Sequence, residues 1–185
     1  MREHIECRVR AFRKALELAR GCPDECGHLG RWKTELRNFP RGSCDMASNC
    51  LARYLSEKES VHPCIIYMNG RNLKNSPFHA HVIVMLDGEY IDLTLDQSKR
   101  YSDYIVSEPI ESQGVIGTLL RRIREAEGTI ETRPVKVSSR EGGEDMYAWL
   151  RDKADQILEE EKNRVVGTEP GCPVEKIIIG YTEQD

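Results

Sequence analysis

Three residues in this sequence have the types needed for nucleophilic acyl chemistry. Cys44 lies in Asn38-Phe-Pro-Arg-Gly-Ser-Cys-Asp-Met-Ala-Ser, His81 in His79-Ala-His-Val-Ile-Val-Met-Leu, and Asp92 in Glu89-Tyr-Ile-Asp-Leu-Thr-Leu-Asp-Gln. A thiol attacks a carbonyl only as thiolate. A helix N-terminus and a neighbouring imidazole both lower its pKa. A carboxylate behind the imidazole holds the ring tautomer and stabilises the imidazolium. Taken alone, Cys44 reads as a small buried hydrophobe. With His81 and Asp92 following in order, it reads as a nucleophile.

These residues need elements to position them. Gly42-Ser43 opens a helix, with Ser43 as N-cap. Cys44, Ala47, Ser48, Leu51 and Leu55 fall on one face of it, so Cys44 begins the stripe that faces the core. It does so where the first helical N–H groups lack partners within the helix. Residues 81–86 and 89–95 read as two strands of a hairpin around Asp87-Gly88, a strong two-residue turn signal. That turn would oppose His81 to Thr94, Ile83 to Asp92 and His79 to Asp96. All six then share one sheet face, with Asp92 diagonal to His81. The directly opposed pair His79 and Asp96 remains open as an alternative base and acid. A register error of one residue would scatter the set.

The rest of the chain supplies packing. Ile5, Val9, Phe12, Leu16 and Ala19 recur at helical spacing, so residues 2–20 read as an amphipathic helix. A short helix follows around Trp32 and Leu36. Residues 61–67 read as a strand, 101–106 and 129–137 as further strands, 116–125 and 144–163 as helices, and 176–181 as a last apolar strand. Trp32 and Trp149 read as core anchors, and Cys50 and Cys64 as core thiols. Gly142-Gly143 reads as a joint too slight for a domain boundary, so residues 1–185 form a single domain of α+β class.

The stretch from His81 to Thr94 resembles the papain-like and transglutaminase-like cysteine enzyme superfamily, in the manner of its compact bacterial-type members. In that pattern a Cys at a helix start is followed by a His and an Asp on adjacent antiparallel strands. Ile83 stands where family members often carry Trp. The resemblance covers about residues 38–97. It implies a papain-like core, with the nucleophile helix packed on an antiparallel sheet, and a Cys44-His81-Asp92 triad. It implies thiol hydrolase or acyltransferase activity on a protein or peptide amide, of protease, deamidase or transglutaminase type. Asn38 precedes Cys44 at the spacing at which papain-like proteases place an oxyanion-hole Gln. The implied oxyanion donors are therefore the Cys44 backbone N–H and Asn38, with His79 and Asp96 as pocket neighbours. No cofactor and no metal are implied.

Composition narrows the partners. The formal charge of −4 gives no support for a nucleic-acid partner. Arg121-Arg122-Ile123-Arg124 reads as a solvated helix face. No run is long and apolar enough to span a membrane. Seven cysteines without an apolar leader suit reduced thiols in a cytoplasm, with export by a dedicated machine as the other route. Two readings compete with the enzyme. One is a catalytically inactive transglutaminase-like binding module. The other is a small zinc-binding interaction protein built on Cys22, Cys26 and His28, with Cys7 as a fourth ligand only by folding back.

Overall fold

The computed structural model describes residues 2–26, 32–110, 112–137 and 143–166. Helix α1 spans Glu3–Gly21, α2 Trp32–Arg37 and α3 Cys44–Glu59. Strands β1 (Cys64–Asn69), β2 (Ala80–Leu86), β3 (Glu89–Asp92) and β4 (Ile105–Pro109) follow, then α4 (Val115–Glu125), β5 (Thr129–Arg133) and α5 (Gly143–Val166). The five strands form one sheet in the order β4-β3-β2-β1-β5, and every neighbouring pair is antiparallel. The α+β class expected from the sequence is the class observed.

Apolar alternation puts helices on both faces of this sheet. Val82, Val84 and Leu86 of β2 join the cluster built by α1, α3 and α5, whereas Ile83 joins Ile116, Leu119, Leu120 and Ile123 of α4. The α1 stripe is buried as its periodicity requires, with Val9, Phe12, Leu16 and Ala19 fully enclosed. On α3, Leu51 and Leu55 are equally enclosed. Truncating either leucine to alanine should cost about 2–5 kcal/mol in lost burial and cavity formation. A polar brace joins the three helices: Arg8 donates to Tyr54 at 3.1 Å, and Tyr54 donates to Asp155 at 2.8 Å.

The hairpin that carries the candidate site has the expected register: Val84 opposes Ile91, Met85 opposes Tyr90, and Leu86 opposes Glu89. Asp87 and Gly88 both have positive φ (49° and 81°), the geometry a two-residue primed turn demands. Other boundaries moved. Strand β3 stops at Asp92 rather than reaching Leu95, because the Asp92 carboxylate takes the Thr94 backbone N–H at 2.8 Å and turns the chain. The strand expected over 101–106 begins at Ile105, after polar turns at Ser98 and Asp103. Strand β5 ends at Arg133, and the chain then leaves the sheet, where the Lys136 N–H donates to Asn49 of α3 at 2.7 Å. The strand expected over 176–181 lies outside the described residues, as does Gly142. Gly143 is the first residue of α5.

Candidate active site

Cys44 is the first residue of α3 and is half-buried. The Ala47 N–H donates to the Ser43 carbonyl at 2.9 Å, which starts the helix one residue before the thiol. Ser43 stands at the N-cap position, as expected, but its side chain makes no cap bond. Its hydroxyl donates backward to the Pro40 carbonyl at 2.9 Å. The reason is local. Arg41 donates to the Asn38 carbonyl at 2.8 Å, and this tight turn presents the Pro40 carbonyl to a serine that is fully buried. Helix N–H groups at the Cys44 end thus remain without a side-chain cap, and the positive end of the helix dipole favours negative charge there.

His81 and Asp92 come from the end of β2 and the end of β3, and both are completely buried. His81 Nε2 lies 2.6 Å from Asp92 Oδ2. The other carboxylate oxygen accepts from the Thr94 N–H at 2.8 Å and from the Thr94 hydroxyl at 3.2 Å. An unpaired buried charge is costly, and these three bonds engage both carboxylate oxygens. Burial alone would depress the His81 pKa. The Asp92 charge and hydrogen bond, reinforced by Cys44, raise it to about 10. The ring is therefore held as imidazolium at neutral pH, next to the group that would be its thiolate partner.

Since Nε2 is committed to Asp92, Nδ1 is the nitrogen left for other partners. Gln97 Nε2 lies 3.2 Å from it. The Gln97 Oε1 accepts from the Gly42 N–H at 3.2 Å, so one amide links the loop before Cys44 to His81. The Phe78 ring stacks on the imidazole at 4.1 Å between centroids and 11° between planes, and Tyr101 lies 6.4 Å beyond Phe78.

The alternative pair is separated in the structure. His79 is exposed just before β2, where its carbonyl accepts from Gly70. Asp96 accepts two bonds from the Arg13 guanidinium, at 3.1 and 2.8 Å. Arg13 is buried, also donates to the Leu93 carbonyl, and sits over the rings of Phe39 and Tyr104. It fastens the segment between Asp92 and Gln97 to α1. Asn38 is exposed in the turn after α2.

The remaining thiols have different surroundings. Burial pushes Cys26 up to about 12 and raises Cys22, Cys50 and Cys64 as well. Cys22 and Cys26 bond backbone carbonyls at the two ends of a short 3₁₀ turn, and His28 lies outside the described residues. Among the described residues no group of three His, Cys, Asp or Glu is placed to hold a metal. Nor is any helix among them long and apolar enough to cross a membrane.

Sequence reasoning named Cys44, His81 and Asp92 but did not foresee the Gln97 bridge or the Phe78 stack. In the sequence Asp96-Gln97 reads as the end of the strand and a candidate lining of the site, but nothing there points to a bridge to Gly42. Nothing in the local pattern distinguishes Phe78 from a loop residue.

The chain is similar to a protein of Escherichia coli. The uncharacterized protein YuaU of strain K12 is 38% identical over 136 residues, which span 71% of this chain and 61% of that protein. The protein of the same name in strain UTI89 matches to the same extent. The chain thus spans about 61% of the length of these relatives. No family model matches the sequence, and no solved structure matches it significantly.

Proposed function

We propose that this protein is a cysteine-dependent acyl-transfer enzyme with a papain-like or transglutaminase-like core, acting on an amide of a protein or peptide. The observation that carries the reading is the buried His81–Asp92 pair at 2.6 Å, electrostatically coupled to a cysteine at the start of a helix. Buried acid–base pairs beside a half-exposed thiol are costly to a fold and useful to a nucleophile.

In this reading His81 Nδ1 takes the Cys44 proton, and the thiolate attacks the amide carbonyl. The pair of electrons displaced from the carbonyl resides on its oxygen, near the Cys44 backbone N–H. Collapse of that intermediate breaks the C–N bond, and the imidazolium protonates the departing nitrogen. Water then attacks the thioester, the C–S bond breaks to return the Cys44 sulfur, and the product is a carboxylate, as in a protease or deamidase. An amine yields a new amide, as in a transglutaminase.

The test uses dimethylcasein with a fluorescent cadaverine. Chain cleavage, ammonia release and amine incorporation report the three outcomes separately. Any one of them, lost in Cys44→Ser, supports the reading. A protein that gives none of them, and whose Cys44 is alkylated no faster than Cys7 at pH 6.5, is not this enzyme.

A further inference from the structure

Resting on that reading, we propose that Gln97 is the side-chain donor to the oxyanion in this site, the role for which Asn38 is the expected residue. Asn38 is exposed in its turn, whereas Gln97 is held between the two halves of the machinery.

The orientation of the Gln97 amide follows from its partners. The Gly42 N–H is a donor, so the amide oxygen must face it. The amide nitrogen then faces the imidazole, with two hydrogens to place. While the ring is neutral, one of these points at the Nδ1 lone pair, 3.2 Å away. That arrangement cannot survive proton transfer. Once Nδ1 carries the Cys44 proton, two N–H groups face each other, and the Gln97 hydrogen must turn to an acceptor. The acceptor that appears at that moment is negative: first the Cys44 thiolate, then the carbonyl oxygen it attacks.

The step balances without further reagents. The sulfur lone pair forms the C–S bond, and the carbonyl π pair moves to oxygen. The Gln97 N–H and the Cys44 backbone N–H donate to that oxygen. When the pair returns, the C–N bond breaks, and the nitrogen takes the proton from Nδ1. A donor aimed at the oxygen on which charge develops favours the transition state over the ground state.

Gly42 and Arg13 keep this amide in place. Gly42 has φ +68°, a conformation that presents its N–H to Gln97 and that other residues rarely adopt. Arg13 anchors Asp96, the residue before Gln97, from the far side.

Two reagents separate the proposal from the reading it rests on. Iodoacetamide alkylates a thiolate by displacement and forms no oxyanion. p-Nitrophenyl acetate acylates through a tetrahedral oxyanion. In Gln97→Ala and in Gln97→Glu, acylation of Cys44 by the ester should fall about 10²–10³-fold, while alkylation at the same pH should fall at least about tenfold less, since the thiolate loses one donor but keeps the imidazolium and the helix end. Gln97→Glu keeps an acceptor for Gly42 and so guards against a loop that has merely come loose. Equal losses with both reagents would mean that Gln97 acts only on the thiolate through His81, and the oxyanion role would be wrong. Unchanged acylation by the ester would also overturn it. If Cys44 of the unmodified protein reacts selectively with neither reagent, both this proposal and the acyl-transfer reading fail.

Discussion

His81 and Asp92 form a hydrogen-bonded pair at 2.6 Å with no solvent exposure on either side chain. Asp92 also receives two bonds from Thr94, so its geometry is over-determined. Asp92→Asn should therefore keep the turn, because the amide oxygen can still accept from Thr94. Its NH₂ would then face Nε2 and force the ring proton onto Nδ1, the nitrogen that accepts from Cys44 in the proposed reaction. In the serine-protease case such a tautomer error costs about 10⁴ in turnover. A thiolate–imidazolium pair depends less on its acid, so a loss of about 10² is expected here. The measurement is ester acylation of Cys44 against pH. A variant as fast as the parent would show that Asp92 does not orient the base.

Cys44 should be the first thiol alkylated at pH 6.5. Burial raises the pKa of Cys22, Cys26, Cys50 and Cys64, which leaves exposed Cys7 as its main competitor. Mass mapping after limited iodoacetamide treatment reads the order. Cys44→Ser should lose that reactivity but keep the unfolding midpoint within about 0.5–1 kcal/mol, since a small polar residue at a helix start is well tolerated. An unfolded Cys44→Ser protein would make this cysteine a packing residue.

The parts of this site that were legible in the sequence are those set by local rules. Asp87-Gly88 fixes the hairpin register through its turn geometry, and that register brings His81 and Asp92 together. The helical stripe from Ala47 to Leu55 places Cys44 at a helix start. What was not legible depends on long-range partners. Asp96 could have opposed His79 on an extended strand, but Asp92 ends that strand by bonding Thr94, and Arg13 of α1 captures Asp96. The same break in the strand swings Gln97 toward Gly42. Ser43 takes the N-cap position without a cap bond because its hydroxyl found a nearer carbonyl at Pro40. Gly42 and Arg13 lie far from Gln97 and Asp96 in the sequence, so no local pattern encodes those two partners.

Stability should fall as pH rises above neutrality. The folded protein holds the His81 pKa at about 10, against 6.5 for the free ring, so the protonated ring favours the folded state. That contribution is complete below about pH 6.5 and is lost progressively toward pH 10. Cys26, Cys50, Tyr54 and Tyr147 also have raised values and act with the same sign, but only where free thiols and phenols ionise. The interval from about pH 6.5 to 7.5, below the range in which free thiols ionise, therefore isolates His81. Urea midpoints across it should decline in the parent and flatten in Asp92→Asn. A flat parent curve would mean a neutral His81.

Arg13 offers a test of how the site is braced. Its guanidinium is buried, bonds both Asp96 oxygens and the Leu93 carbonyl, and lies 4.5 Å from the Phe39 ring centroid and 4.9 Å from that of Tyr104. Arg13→Met retains much of the apolar stem but leaves Asp96 unpaired. Breaking one side of such a pair costs about 3–5 kcal/mol when fully buried, and Asp96 keeps some solvent, so about 2–3 kcal/mol is expected. Arg13→Met should also slow acylation of Cys44, because Gln97 loses its anchor. Double replacement with Asp96→Asn should recover stability before it recovers rate. Recovery of both together would place Arg13 outside the support of the site.

Glu108 gives the converse case, a buried charge remote from the chemistry. It stands on β4, is 7% exposed, and accepts from the Ile116 N–H at 3.0 Å and the Gly117 N–H at 2.8 Å. The carboxylate thus satisfies two unpaired donors at the start of α4 from a different element, where the helix dipole also favours it. Gly114 leaves room for it, and a Cβ there would collide with the carboxylate. Glu108→Ala should cost about 1–3 kcal/mol, since both N–H groups lose a charged acceptor. Glu108→Gln should cost less, because one acceptor oxygen remains. Gly114→Ala should resemble Glu108→Ala by pushing the carboxylate aside. None of the three should alter the alkylation rate of Cys44 at pH 6.5, because the Glu108 carboxylate bonds the start of α4 and neither Cys44, His81 nor Asp92. A change in that rate without loss of stability would show that the α4 layer communicates with the thiol. A midpoint unmoved in Glu108→Ala would show that solvent caps the helix equally well.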